Sequence, residues 1–212
     1  YSIGYSILRI EDIFNKAREY GQKAVALTDM ATLSGVPEVF RVAQKYPDIK
    51  PISGLSMPMN IKDSGYYMEA WFTFLAKDID GYKGLVRISS TAIKSDFSKF
   101  DIFFCNDMWE ILSEYKAHLI CICNLSYWSS NLKEINDNSS DYERKNVEAR
   151  NHIMYKIKDL LADDLYLEVL ARDSEKDHLV KTEVIANHTG VKLVATNMVA
   201  FLSADHFDDY KR

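Results

Sequence analysis

Hydrophobic and polar positions along this chain switch repeatedly between a helical and a strand-like period. Ile10, Ile13, Phe14 and Ala17 fall at i, i+3, i+4 and i+7, the apolar stripe of an amphipathic helix, and Gly21 stops it. Ala24 to Leu27 is then a continuous apolar run, as expected of a strand covered on both faces, and Thr28 and Asp29 end it with polar groups. Pro37 sits where the first turn of a second helix belongs, with Val39, Phe40, Val42 and Ala43 as its apolar side. A short strand is predicted over Lys50–Ser53, closed by Gly54, and another over the aromatic-rich stretch Trp71–Ala76. Helical spacing returns over Gly81–Ile93 through Tyr82, Leu85, Ile88 and Ala92. Strands over Leu119–Cys123, Leu165–Leu170 and Val191–Thr196 alternate with helices over Asp141–Leu161 and Leu179–Ala186. The polar run Asn131–Ser140 reads as a mobile surface loop.

Strand and helix in regular alternation predict an α/β fold of right-handed βαβ units, with parallel strands inside and helices outside. In such folds ligands and catalytic groups collect at the carboxyl ends of the strands, which makes Asp29 the first position to inspect. No stretch resembles an interdomain linker, so the 212 residues are expected to form one domain. The chain opens on Tyr1 and not on Met, so a fragment of a longer polypeptide is expected.

Charge narrows the ligand classes. The formal net charge is -5, which argues against a broad electropositive surface for tracking phosphates. Three cysteines without a C-x-x-C pair suit a reducing, cytoplasmic setting better than a disulfide framework. No apolar run approaches membrane-spanning length, and no membrane partner is expected.

Candidate chemistry is sparse when read residue by residue. Asp29 could serve as a ligand or base at a strand end, but an Asp there also caps a turn by accepting backbone N–H bonds. Cys121 and Cys123 share one face of a strand and could hold zinc with His118, whereas burial in a core explains two apolar-flanked thiols more cheaply. The histidines at 118, 152, 178, 188 and 206 have no metal-binding spacing, and His152 and His178 read as solvated. His206 lies beside Asp205, Asp208 and Asp209, a cluster that could bind a cation or simply complement a helix N-terminus. No Gly-rich phosphate loop and no nucleophile elbow is present.

Taken in order, RIEDIFNKAREYGQKAVALTD, GVPEVFRVAQ, KPISG, FLAKDIDGYKGLVRIS, LYLEV and LVATN resemble the PHP domain at the amino terminus of bacterial replicative DNA polymerase III alpha subunits. The resemblance runs over essentially the whole of residues 1–212. It implies a distorted (β/α)7 barrel, a first strand incomplete at the amino end, and a polymerase core beyond residue 212. Relatives with an intact site hold zinc or manganese ions at the barrel mouth on histidines, carboxylates and a cysteine, and use them for phosphoesterase or proofreading exonuclease chemistry. The parent polymerase would use magnesium.

The family's LTDHG reads here as Leu27-Thr28-Asp29-Met30-Ala31, which puts Met30 in place of a ligand histidine. Its GCE reads Gly54-Leu55-Ser56, so Ser56 replaces a glutamate, and its TNDVH reads Thr196-Asn197-Met198-Val199-Ala200, so Met198 and Ala200 replace an aspartate and a histidine. The aspartate of its SLLDG falls on Tyr5, and the histidine after its LELQR falls near Arg172. A metal ion needs several anionic or imidazole donors converging on it, so a degenerate site is expected, with no cofactor and no catalysis of its own. Asp29, Asn197, His206 and Asp208 are the residual polar candidates.

The resemblance then implies a structural and docking role. The partners would be the rest of the polymerase chain and, as in some relatives, the separate proofreading exonuclease subunit, with DNA reached only through the parent polymerase. The rival is a metal-dependent phosphoesterase or 3'-5' exonuclease with relocated ligands, and a third reading is a stand-alone PHP protein of the histidinol-phosphatase sort. Met30 and Met198, with Tyr5 nearby, are expected to fill the former metal cavity as an apolar plug.

The net charge carries a direct test. Fluorescence anisotropy with single-stranded and primed DNA should give weak binding, because few cations are available to neutralise phosphates, and what binding there is should be lost as salt is added. Submicromolar binding that persists at physiological salt would contradict this.

Overall fold

A computed structural model describes residues 8–93, 103–104, 106–125, 140–170, 176–196 and 199. Helix α1 (Ile10–Glu19) leads into β1 (Ala24–Met30), and α2 (Val36–Ala43) leads into β2 (Lys50–Asp63). The chain then returns along β3 (Tyr66–Ala76) and continues through α3 (Ile79–Ile93), β4 (Phe103–Phe104), α4 (Asn106–Tyr115) and β5 (Leu119–Asn124). Helix α5 (Ser140–Leu161), a 3-10 turn, β6 (Leu165–Leu170), α6 (Lys176–Thr189) and β7 (Lys192–Thr196) complete the order. The strands form one curled sheet in the order β1-β2-β3-β5-β6-β7, with β4 paired to the far half of β2. The architecture is the expected mixed α/β one with helices outside, in the form of a half-barrel.

Parallelism has one exception. Strand β3 runs antiparallel to both β2 and β5, while the β1–β2, β2–β4, β5–β6 and β6–β7 pairs are parallel. The cause is local. Strand β2 does not stop at Gly54 as predicted but continues to Asp63, because Leu55, Met57, Met59 and Ile61 alternate into the core. Pro58 is tolerated mid-strand because it falls between the ladder to β1, which ends at Ser56, and the ladder to β4, which begins at Asn60. Ser64 and Gly65 then take positive φ values of 50° and 85°, the conformation of a two-residue hairpin turn whose twist matches its strands.

The sheet has two chemically distinct faces. Leu55, Met57, Phe72, Phe74, Cys121, Cys123, Leu165 and Leu167 occupy one face in register and pack under α3, α4, α5 and α6. Each large side chain so buried is worth about 1.5–3 kcal/mol. Helix α4 lies outside the elements predicted from the sequence. It joins this core through Met108, Ile111 and Leu112 at helical spacing. A second cluster, Phe14, Ala17, Val25, Val39, Val42 and Tyr46, seats α1 and α2 on β1. Most of the loop predicted over Asn131–Ser140 lies outside the described residues, and Ser140 itself opens α5.

The hairpin tip is fastened to the helical layer. Asp63 accepts from Lys156 Nζ at 2.5 Å and pairs with His152 Nε2 at 2.8 Å, both on α5. The Tyr66 ring stacks on His152 at 4.6 Å, and Lys156 Nζ lies 4.4 Å from the centre of the Trp109 ring on α4. His152 is therefore a partner in a tertiary contact and not the solvated histidine that its polar sequence surroundings predict.

This contact sets a pH dependence. The Lys156 ammonium, with His152 behind it, holds the Asp63 carboxyl below its ordinary value of 3.8. A depressed folded-state value means that the contribution is complete above about pH 4 and is lost as pH falls through the lower folded-state value. Because the partners are about 40% exposed, Asp63→Asn should cost only about 1 kcal/mol at neutral pH. Urea melts from pH 7 to 2.5 should show a shallower acid limb for the variant than for the parent chain, and identical limbs would refute the assignment.

Candidate functional site on the concave face of the sheet

The face opposite the helical core is where the polar strand residues collect. Register places Met30 beside Ser56, Ser56 beside Thr73, Thr73 beside Ile122, and Ile122 beside Tyr166 in one row across the sheet. The next row towards the carboxyl ends holds Pro58, Trp71 and Asn124, and the hydrogen bond from Asn124 Nδ2 to Glu168 Oε2 at 2.5 Å continues it onto β6. Thr196, at the end of β7, donates from its hydroxyl to Glu168 Oε1. Since β3 is reversed, the carboxyl ends of β1, β2, β5, β6 and β7 share one edge, which is where an α/β site is expected.

The seat at β1 and β2 is tight. Ser56 Oγ donates to the Thr28 carbonyl at 2.8 Å, and the Ser56 carbonyl accepts from the Ala31 N–H at 2.9 Å. Ala31, only 2% exposed, takes a φ of 53°, and Ser89 Oγ of α3 donates to its carbonyl at 2.7 Å. The family's LTDHG has glycine at this place, and the left-handed geometry explains the preference: a Cβ there costs about 1 kcal/mol or more. Gly54 is equally constrained, since a Cβ would stand 2.6 Å from Leu75 Cδ2, 2.7 Å from the Phe74 carbonyl and 2.9 Å from Thr28 Cγ2.

The candidates from the sequence are distributed unevenly. Met30 and Ser56 are brought together as neighbours, Met30 half-buried and Ser56 buried. Asp29 is 4% exposed and, two residues on from Leu27 and four from Val25, takes the helix-facing side of β1, away from Met30. Tyr5, Arg172, Asn197, Met198, Ala200, His206 and Asp208 lie outside the described residues. Of the three residues expected to form an apolar plug, Met30 alone lies among the described residues, and it is half-buried.

The zinc alternative for the cysteines does not form. Cys121 and Cys123 are wholly buried on the core face, where burial pushes both thiols well up from their ordinary range. His118 instead bonds through Nδ1 to Asp78 Oδ2 at 2.7 Å, and Asp78 caps α3 by accepting from the Gly81 N–H at 2.9 Å. The Gly81 bond and then His118 hold the Asp78 carboxyl below its ordinary value.

Glu168, Asn124 and Trp71 are absent from the candidates read from the sequence, and Thr196 figures there only as the first residue of a family motif. For Glu168, Asn124 and Trp71 the signal was alternation: each stands one place out of step with an apolar, core-facing neighbour.

Metal ions implied for this fold do not fit the described donors. Met30 offers a soft thioether, the Ser56 hydroxyl is committed to a carbonyl, and Glu168 is a single carboxylate where a metal ion needs several anionic or imidazole donors. Among the described residues no three His, Cys, Asp or Glu side chains converge.

The sequence profile of the PHP domain family matches residues 1–172, and the chain belongs to that family. It is 26% identical over 239 residues to the DNA polymerase III subunit alpha of Aquifex aeolicus, covering 97% of this chain and 18% of that relative. It is 31% identical over 205 residues to that of Rickettsia felis, covering 95% and 16%. The chain therefore spans less than a fifth of the length of these curated relatives. Among solved structures, one named as a metal-dependent phosphoesterase of Bifidobacterium adolescentis superposes with a TM-score of 0.53 at 11% identity, covering 93% of this chain and 84% of that one. That likeness concerns the fold.

The crowding around Gly54 gives a test of the seat. Gly54→Ala should destabilise by about 1–3 kcal/mol, because all three colliding groups belong to the flanking strands β1 and β3 and one of them is a backbone carbonyl. Chemical denaturation would measure it, and a neutral substitution would mean that the three strands are not held this closely.

Proposed function

We infer that this domain is a non-catalytic PHP module of a replicative DNA polymerase III alpha-type chain, in which it supports the polymerase portion and docks a partner such as the proofreading exonuclease subunit. The observation that carries this reading is the pairing of Met30 with Ser56 on adjacent strands, at the places where the family's motifs have a histidine and a glutamate. Neither side chain can hold a hard metal ion as an anionic or imidazole ligand. Relatives that share nearly the whole of this chain are polymerase subunits, which supports a polymerase setting over a stand-alone phosphatase.

Loss of the ions shifts the burden of order to packing. Structural metal contributes roughly 10–16 kcal/mol in folds that depend on it, whereas a domain with a large apolar core holds its shape without it. Met30→Ala should cost about 1 kcal/mol, as suits a half-buried thioether, and EDTA should leave the melting temperature of both proteins unchanged.

Activity provides the stronger test. With Mn²⁺, Zn²⁺ or Mg²⁺ added, hydrolysis of a phosphodiester dye substrate and of a labelled single strand should stay at background. Metal-dependent turnover that disappears in a Glu168→Gln, Asp208→Asn double variant would instead establish relocated ligands and an active phosphoesterase.

A further inference from the structure

Glu168 is placed as a site residue and not as a strut. It is a half-buried carboxylate on the concave face, and its hydrogen-bond partners among the described residues are the neutral Asn124 and Thr196. Arg150 of α5 acts on Cys123 of the core face, as Glu168 does, and the hydrogen bonds to Glu168 come from Asn124 and Thr196. A partly desolvated carboxylate ordinarily has a cation against it, because neutral donors orient its charge without neutralising it. Its two oxygens are fixed by one donor each, and the open lone pairs are left in a common plane. Trp71 stands in the same row with Asn124 between, hence about 10 Å from Glu168 at the usual strand spacing.

We propose that Glu168, oriented by Asn124 and Thr196 and flanked by Trp71, receives the guanidinium of an arginine side chain from a protein partner. The assignment rests on the reading that metal has been lost from this mouth, since a resident ion would take the same carboxylate. A guanidinium suits the place for two reasons. Its planar fork matches an oriented carboxylate with two parallel N–H···O bonds, and its flat, weakly hydrated face tolerates an indole alongside. The concave face thereby turns from an ion seat into a socket for a cationic side chain.

The test uses the ¹⁵N-labelled chain at low ionic strength, titrated with N-acetyl-Gly-Arg-Gly-amide, with the isosteric but uncharged citrulline peptide, and with MnCl₂. The arginine peptide should produce saturable shifts of the Asn124 side-chain amide and the Trp71 indole N–H, and the citrulline peptide none. Glu168→Gln, which keeps an acceptor oxygen for Asn124 while its amide donates to the Thr196 hydroxyl and should melt within a few degrees of the parent, should weaken the arginine response by about tenfold or more. Trp71→Phe, a second variant that leaves the carboxylate in place, should weaken it less. Equal responses to arginine and citrulline, or an undiminished response in Glu168→Gln, would overturn the proposal. Silence towards both arginine and Mn²⁺ would overturn it while leaving the metal-free reading intact. Mn²⁺ broadening of the same resonances that vanishes in Glu168→Gln would overturn both.

Discussion

Strict alternation of side chains across the sheet is the constraint on which the rest of this structure depends. Leu55, Met57, Phe72, Phe74, Cys121 and Cys123 can be buried together under four helices only if Ser56, Thr73, Trp71, Ile122 and Asn124 point the other way. A slip of one residue anywhere in β2, β3 or β5 would exchange the two sets and expose the core. The apolar face therefore fixes the register, and the register in turn brings the polar residues of five strands to one concave surface. Chemistry at the mouth is free to vary because its scaffold is specified from the opposite side.

That separation lets residues on the concave face vary without cost to the fold. Met30 and Ser56 stand on the concave face, where their identities matter little to the helices behind the sheet. Gly54 and Ala31 are different. Both lie at the same seat, but their demands are backbone demands: a close approach of three strands at Gly54 and a left-handed turn at Ala31. The backbone of the seat is thus constrained whatever side chains stand on it, and Ala31, where the resembling motif has glycine, takes its left-handed φ at a mild conformational cost.

Much of the fold was legible in the sequence where a pattern is long and periodic. Helices α1 and α3 and strands β1, β5 and β6 follow their hydrophobic spacing closely. The extension of β2 was hidden because Gly54 reads as its close, and Pro58 beyond it is harmless only because β1 and β4 lie on either side of it. The reversal of β3 was hidden for a related reason: the turn at Ser64 and Gly65 lacks the Asn-Gly or Asp-Gly signature, and Ser64 takes a positive φ that its identity does not announce. Helix α4 was missed although Met108, Ile111 and Leu112 carry the spacing. Of the site, the pairing of Met30 and Ser56 was visible through family motifs, whereas Glu168 and Asn124 converge only through the order of strands, which no single segment encodes.

The hairpin of β2 and β3 also bears on how the chain finds its fold. Parallel neighbours such as β1 and β2 or β5 and β6 can meet only after a helix and its loops have been threaded between them, so their loop-closure entropy must be met before any contact rewards it. Strands β2 and β3 are joined by two residues, and hairpins of this kind form in about 1–10 µs. Because Leu55, Met57, Phe72 and Phe74 lie on that one hairpin, the centre of the apolar face can assemble from a local segment of the chain, and both flanks of the sheet then grow on an edge already in place. The single reversed strand, out of step with the βαβ pattern around it, gives a domain of non-local pairings a short-range place to begin.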